Sequence, residues 1–596
     1  MREMKRRCLQ QFDEWREKIL MRVGEVVNNR DQHPADDSSK TQHEKDEHQE
    51  ITTDKQAEKK VAEIEDDANV KQTLEREYPP LDTSLSDLDT AKKALILHSM
   101  LLLLLSLEHY SAWSRVLLLH LTSSLGLSIK LLEEDEAKIA TGLLQAVDMS
   151  AEPSTKKAAE DNAVSRKWKV GLATVAGAAV IGITGGLAAP LLAAGVGSVM
   201  GGLGLGATAT AGYLGTLAGS SVLVGGLFGA YGGKMTGEMM DKYAKEVEDF
   251  AFIPVRSASP SDKHDNAKAK RRLRVVVGVS GWLTSADDID KPWKVLGPTS
   301  AETFALRFEL KALVALGNAL STLLKSAAWS YAKSEIIKRT VFASLTAAMW
   351  PIALLKVGTL VDNPFSVAKA RADKAGEVLA DALIHKAQGE RPVSLIGYSL
   401  GARTIYVCLK TMAERGAFGL VEDVVLLGAP APSDALDWRI VRAVAAGRVV
   451  NVYSTEDYVL GFLYRSSSVQ LGVAGLQAID ANVRGVENLD FSNDIQGHTS
   501  WRFSVGKALQ RLGVSDLLID EVEKQAREGT KNSKEEEESR AAEEAKTDKS
   551  GGEVSEKQVE EMHQKVEESN VEMGVAIPTG EMKLDDGNEK KAPAPA

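Results

Sequence analysis

The chain has 596 residues, room for several domains at roughly 150 residues each. Acidic residues outnumber basic ones 84 to 72, a net charge of −12, which excludes the basic footprint of a general nucleic-acid binder, so no nucleic acid is expected as a partner. Two cysteines, Cys8 and Cys408, exclude a disulfide scaffold and a cysteine-rich zinc centre, and the charged start holds no secretory signal, so the default setting is intracellular.

Residues 1–30 predict a short helix, with Phe12, Trp15, Ile19 and Val23 at helical spacing. Residues 31–90 are too poor in apolar side chains to offset their ordering entropy and read as a disordered acidic linker. Residues 91–160 predict a helical region. Its aliphatic run, 95–107, falls short of the ~20 residues a membrane helix needs and reads as a buried bundle helix.

Between Lys169 and Lys234 there is no Asp, Glu, Lys, Arg or His. Small residues recur at four-residue spacing there, as at Gly182 and Gly186 or Gly202 and Gly206, which lets membrane helices approach closely. Arg166, Lys167 and Lys169 flank one end, and Lys234, Lys242 and Lys245 the other. Residues 168–235 therefore predict a Gly/Ala-rich transmembrane hairpin with both flanks cytosolic. A Gly-rich buried helical layer is the alternative.

From 270 to 515 the pattern is α/β. Short β-branched runs at 274–280, 303–308, 393–397, 424–427, 449–453 and 486–491 alternate with helical stretches, which predicts a mainly parallel sheet with helices on both faces. A helical insertion, 311–365, reads first as a buried hairpin on the sheet, with a lid as the alternative. Residues 525–596 are acidic and low in complexity, and predict a disordered tail, either simply solvated or a site for protein partners.

The chemistry centres on Gly397-Tyr398-Ser399-Leu400-Gly401, where an apolar strand runs into Gly-x-Ser-x-Gly and a helix follows. Such a turn lifts the serine hydroxyl above the strand ends, beside the positive end of the helix, so Ser399 is the expected nucleophile. In this arrangement an acid and then a histidine follow in the chain. His498 is the only histidine downstream before the tail, which holds His563. The strand 449–453 exits through Glu456 and Asp457. Asp457 is the expected acid, with Glu456 the direct competitor and Asp494 a second. The N–H of Leu400 and a backbone N–H from the strand end at Gly281 and Trp282 would form an oxyanion hole. No P-loop, GxGxxG, His-Glu-x-x-His or Cys-x-x-Cys occurs at a useful place, so neither cofactor nor metal is expected.

Gly281-Trp282-Leu283, Leu306-Arg307-Phe308-Glu309, Asp362-Asn363-Pro364, Leu395 through Arg403, Leu427-Gly428-Ala429-Pro430, Ala446-Gly447-Arg448 and Val486-Glu487-Asn488 occur together and in order. With them the chain resembles the transmembrane and coiled-coil domain-containing protein 4 family over about 95 to 515. The resemblance implies an α/β-hydrolase fold, membrane association and a lipase- or esterase-type activity, with the family's serine, acid and histidine carried to Ser399, Asp457 and His498. The expected protein is a membrane-tethered serine hydrolase. It would sit in an intracellular membrane with the hydrolase domain and both termini facing the cytosol, acting on an ester, by proximity that of a membrane lipid. The alternative is a trafficking or scaffold protein on a hydrolase fold.

Overall fold

The computed structural model describes residues 2–28, 67–107, 110–150, 227–228, 247–256, 271–341, 352–467, 472–495, 497–547, 556–572 and 574. The expected transmembrane hairpin lies outside them apart from Leu227 and Phe228, as do residues 31–66 of the expected linker and the tail beyond 574. No helix among the described residues is long and apolar enough to cross a membrane.

α1 (Arg2–Asn28) buries Ile19 and sets Phe12 edge-on to Trp113, with ring centroids 5.7 Å apart. α2 (Ala68–Glu77) is capped by Asp67, whose carboxylate accepts from the Asn69 N–H, and it buries Val70, Thr73 and Leu74. A turn of 3₁₀ helix follows at Ser84–Asp87. The end of the expected linker is thus ordered: a polar average hides three side chains on one helical face. α3 (Thr90–Leu105), α4 (Ala112–Ser124) and α5 (Ile129–Ser150) form a helical layer. Asp89 and Ser111 cap the first two, and Leu97, Leu101, Leu104, Leu118 and Leu132 fill the interior. The aliphatic run of α3 is part of this core.

The remaining elements are β1 (Ala251–Pro254), β2 (Val275–Val279), β3 (Glu302–Arg307), α6 (Leu310–Lys325), α7 (Ala327–Val341), α8 (Ile352–Ile384), β4 (Val393–Tyr398), α9 (Leu400–Arg415), β5 (Val421–Leu427), α10 (Ala435–Val444), β6 (Val449–Tyr453), α11 (Tyr458–Ser467), β7 (Val486–Asp490), α12 (Trp501–Arg511), α13 (Ile519–Thr547) and α14 (Glu556–Glu572). The strands form one sheet in the order β1-β3-β2-β4-β5-β6-β7. All neighbours pair in parallel except β1, which runs antiparallel to β3 with Phe252 opposite Leu306. β2 and β4 are buried at every position, as parallel strands covered on both faces must be. β1 lies ahead of the expected start at 270.

A buried ionic cluster fastens the helical layer to the sheet. Arg115 of α4 donates to Glu136 at 2.7 Å and to Glu422 of β5 at 3.0 Å, and Arg274 reaches the same Glu422 with two nitrogens at 2.9 Å. The Tyr110 hydroxyl donates to Glu136 at 2.6 Å.

The expected disordered tail is corrected over its first part, where α13 and α14 pack on the sheet domain. Gln525 donates to the Pro292 carbonyl at 3.1 Å and accepts from the Gly506 N–H at 2.7 Å, and Asn318 of α6 donates to Asn570 at 2.9 Å. Val522, Val559, Met562 and Val566 are buried. The last three lie at i, i+3 and i+7, a narrow apolar stripe that a highly charged composition masks. In the expected insertion, α6 is buried along most of its length, and Gly317 is required there: a Cβ would stand 1.8 Å from the Leu283 carbonyl oxygen.

Candidate active site

β4 delivers the chain into a tight turn. Ser399 takes φ +53° and ψ −129°, a backbone state that costs a non-glycine residue of order 1–3 kcal/mol and persists only where the surroundings impose it. The Ser399 N–H donates to the Leu427 carbonyl at 2.9 Å, and α9 starts at the next residue. The flanking glycines are steric necessities. A Cβ on Gly401 would stand 2.0 Å from the Val279 carbonyl oxygen, and one on Gly397 would stand 2.7 Å from Ile405 Cδ1 and 2.8 Å from the Gly401 carbonyl carbon.

His498 meets this serine from a loop ahead of α12. Its Nε2 is 2.5 Å from Ser399 Oγ, and its Nδ1 is 2.7 Å from Asp457 Oδ2. An ionised carboxylate can only accept, so Nδ1–H donates to Asp457 and Nε2 is left to accept the serine proton. Asp457 leads into α11, and its second oxygen accepts from the Leu460 N–H at 3.0 Å. The competing acids point elsewhere. Glu456 accepts from the Tyr458 hydroxyl at the surface, and Asp494 pairs with Arg511 at 2.7 Å and with Lys507. Ser399, His498 and Asp457 are 1%, 2% and 0% exposed, so all three are buried.

Gly281 follows β2 and faces the turn directly. A Cβ there would stand 2.4 Å from the Leu400 nitrogen and 2.2 Å from the Tyr398 carbonyl oxygen. The Leu400 N–H is among the first of α9, which have no partner inside the helix. Trp282 is buried, and its carbonyl accepts from the Tyr398 hydroxyl at 3.3 Å. The loop beyond is clamped by Asp288, one oxygen of which accepts from the Thr284 N–H at 2.7 Å, the Thr284 hydroxyl at 2.6 Å and Arg502 at 3.0 Å. The Arg502 guanidinium lies over the Trp282 ring, 4.6 Å from its centroid. On the other side of the histidine, the Thr499 hydroxyl donates to Glu536 of α13 at 3.2 Å, and burial raises the Glu536 carboxyl above its usual range.

The structure thus brings together all six residues singled out from the sequence. Three more serve the same place: Asp288, Arg502 and Trp501, whose indole N–H donates to Asp457 Oδ2 at 2.8 Å. Trp501 stands three residues after His498, but a lone tryptophan carries no pattern that announces such a contact. Among the described residues no group of His, Cys, Asp and Glu is placed to hold a metal ion.

Fold and site together define a mixed α/β protein with a buried serine–histidine–carboxylate line at the carboxyl ends of its parallel strands. The chain belongs to the family described as "Protein of unknown function (DUF726)", which matches residues 163–515, a span that includes every site residue. It is 40% identical over 442 residues to a Schizosaccharomyces pombe protein described as an uncharacterized membrane protein, covering 73% of this chain and 74% of that one. It is 37% identical over 419 residues to the transmembrane and coiled-coil domain-containing protein STS1 of Oryza sativa subsp. japonica, covering 68% and 61%. It is 34% identical over 307 residues to a Saccharomyces cerevisiae protein named probable lipase MIL1, covering 51% of this chain and 27% of the yeast protein. No solved structure matches the chain.

Proposed function

We propose that this chain is a membrane-held serine hydrolase of the α/β-hydrolase fold that cleaves an ester bond of a lipid. The observation that carries the reading is the hydrogen-bond line from Ser399 through His498 to Asp457, built on a strained turn at a helix N-terminus. His498 Nε2 takes the serine proton as Oγ attacks the acyl carbon. The resulting oxyanion sits against the Leu400 N–H and the Gly281–Trp282 backbone, where fixed donors need no reorganisation. Asp457 stays ionised and stabilises the imidazolium, which then protonates the leaving alcohol. Water, deprotonated by the same histidine, releases the acid from Ser399. The chemistry needs neither metal nor cofactor.

The yeast relative's name supports the reaction class, and the names of the fission-yeast and rice relatives support a membrane. The charge-free stretch between Lys169 and Lys234 supports the same placement through a hairpin with both flanks cytosolic. Held there, the site meets lipid esters at high effective concentration.

The burial of Ser399 favours a second reading, a trafficking or scaffold protein on this fold. A fluorophosphonate probe separates the two when applied to wild type and Ser399→Ala, in membranes and again in detergent. Labelling present in wild type and lost in the variant is expected, together with a fall in ester turnover of about ten-thousandfold or more. A folded wild type that stays unlabelled in both settings would leave the scaffold reading.

A further inference from the structure

We infer that Trp501 is a positioning residue for this reaction, its indole N–H being the second donor that holds Asp457 in the orientation and charge balance His498 requires. The inference rests on the hydrolase reading. Trp501 Nε1 and His498 Nδ1 donate to the same oxygen, Asp457 Oδ2, at 2.8 and 2.7 Å, while the Leu460 N–H takes Oδ1. Asp457 is fully buried, where a carboxylate oxygen left without a donor is costly. Two donors on one oxygen also fix the plane of the carboxylate, and hence the direction of the imidazole.

The indole is itself fixed. Its ring stacks on Phe491 at 6.4 Å and 22°. Gly428, just after β5, has φ +54°, and a Cβ there would stand 2.3 Å from Trp501 Nε1. A glycine is therefore needed at that strand end to admit the N–H. Trp501 opens α12 and His498 lies three residues earlier, so both donors ride on one stretch of chain.

The indole donor draws charge from Oδ2. Without it, Oδ2 loses one of its two donors, and neither the plane of the carboxylate nor the direction of the imidazole is held.

The test is the split between kcat and KM for a short-chain nitrophenyl ester with the full chain in detergent. Trp501→Phe should lower kcat about tenfold, with KM little changed. Phe491→Leu removes the stacking but keeps the N–H, and should leave kcat near that of wild type. Gly428→Ala crowds the indole N–H and should lower kcat as Trp501→Phe does, which carries the test if that variant fails to fold. In an Asp457→Asn background, Trp501→Phe should add no further loss. An unchanged kcat in Trp501→Phe, or an equal loss in Phe491→Leu, overturns the assignment. Wild type without turnover overturns the hydrolase reading and this inference together, whereas wild type with turnover and an unchanged kcat in Trp501→Phe overturns only the inference.

Discussion

Two histidine–carboxylate pairs lie buried in different layers of the molecule. In the sheet layer His498 bridges Asp457 and Ser399. In the helical layer His98 of α3 sets Nδ1 2.8 Å from both oxygens of Asp135 on α5, at 2% and 9% side-chain exposure. The second pair is as well formed as the first, yet among the described residues His98 Nε2 has no hydrogen-bond partner. The difference lies in the backbone opposite. At the sheet a strand runs into a strained turn and a helix N-terminus, which sets the Ser399 hydroxyl against Nε2. In the helical layer α3 and α5 carry the pair as regular helix, and among the described residues no hydroxyl meets His98 Nε2. A histidine and a carboxylate alone do not tell the two pairs apart; the supersecondary element facing them does.

The largest expected effect that tests this contrast is at Asp457. Asp457→Asn should cut kcat about ten-thousandfold, because the amide favours the wrong imidazole tautomer. Rates of ester hydrolysis and of fluorophosphonate labelling measure it, and a loss under tenfold would place the orienting acid elsewhere. The matching change in the helical layer reads out in a different quantity. Asp135→Ala leaves His98 buried without its partner and should lower folding stability by about 2–3 kcal/mol, with labelling of the folded protein unchanged. Urea unfolding monitored by tryptophan fluorescence measures the first expectation. A labelling rate that falls along with stability would break the distinction between the two pairs.

The sheet was legible because short apolar, β-branched runs alternate with helical stretches, and six of the seven strands stood out. β1 did not: Ala251-Phe252-Ile253-Pro254 is four residues long, ends in proline and is specified by its pairing with β3 rather than by its own pattern. Ser399 was legible from the glycine spacing, which close packing dictates, and His498 by elimination. The acid was not separable from Glu456, because one backbone turn at the strand exit decides which of two adjacent side chains faces inward. Trp501 and Arg502 contact their targets through tertiary packing, which leaves no periodic trace. The same limit applies to α13 and α14, where the order comes from a few apolar residues set among many charges.

An effect of similar size, but set by pH, belongs to the seam between the layers, where buried acids serve cohesion. Glu133 of α5 is hydrogen-bonded to the Ser515 hydroxyl, and burial pushes its carboxyl from the usual 4.5 up to about 7, against the pull of Arg115 and Arg274. The folded state therefore holds a proton that the unfolded chain releases across that interval. The associated stability is fully present below about 4.5 and is lost as pH rises through about 7. Glu133→Gln keeps the shape and cannot ionise. Its advantage over wild type should be near zero at the acid end of that window and should grow to about 3 kcal/mol above its upper end. Urea midpoints of both proteins, compared on either side of the window, measure it. A difference that does not change with pH would mean that Glu133 is ionised in the folded protein, held by Arg115 and Arg274. The seam would then be a charged network at every pH, closer in character to the Asp457 site than to a neutral core.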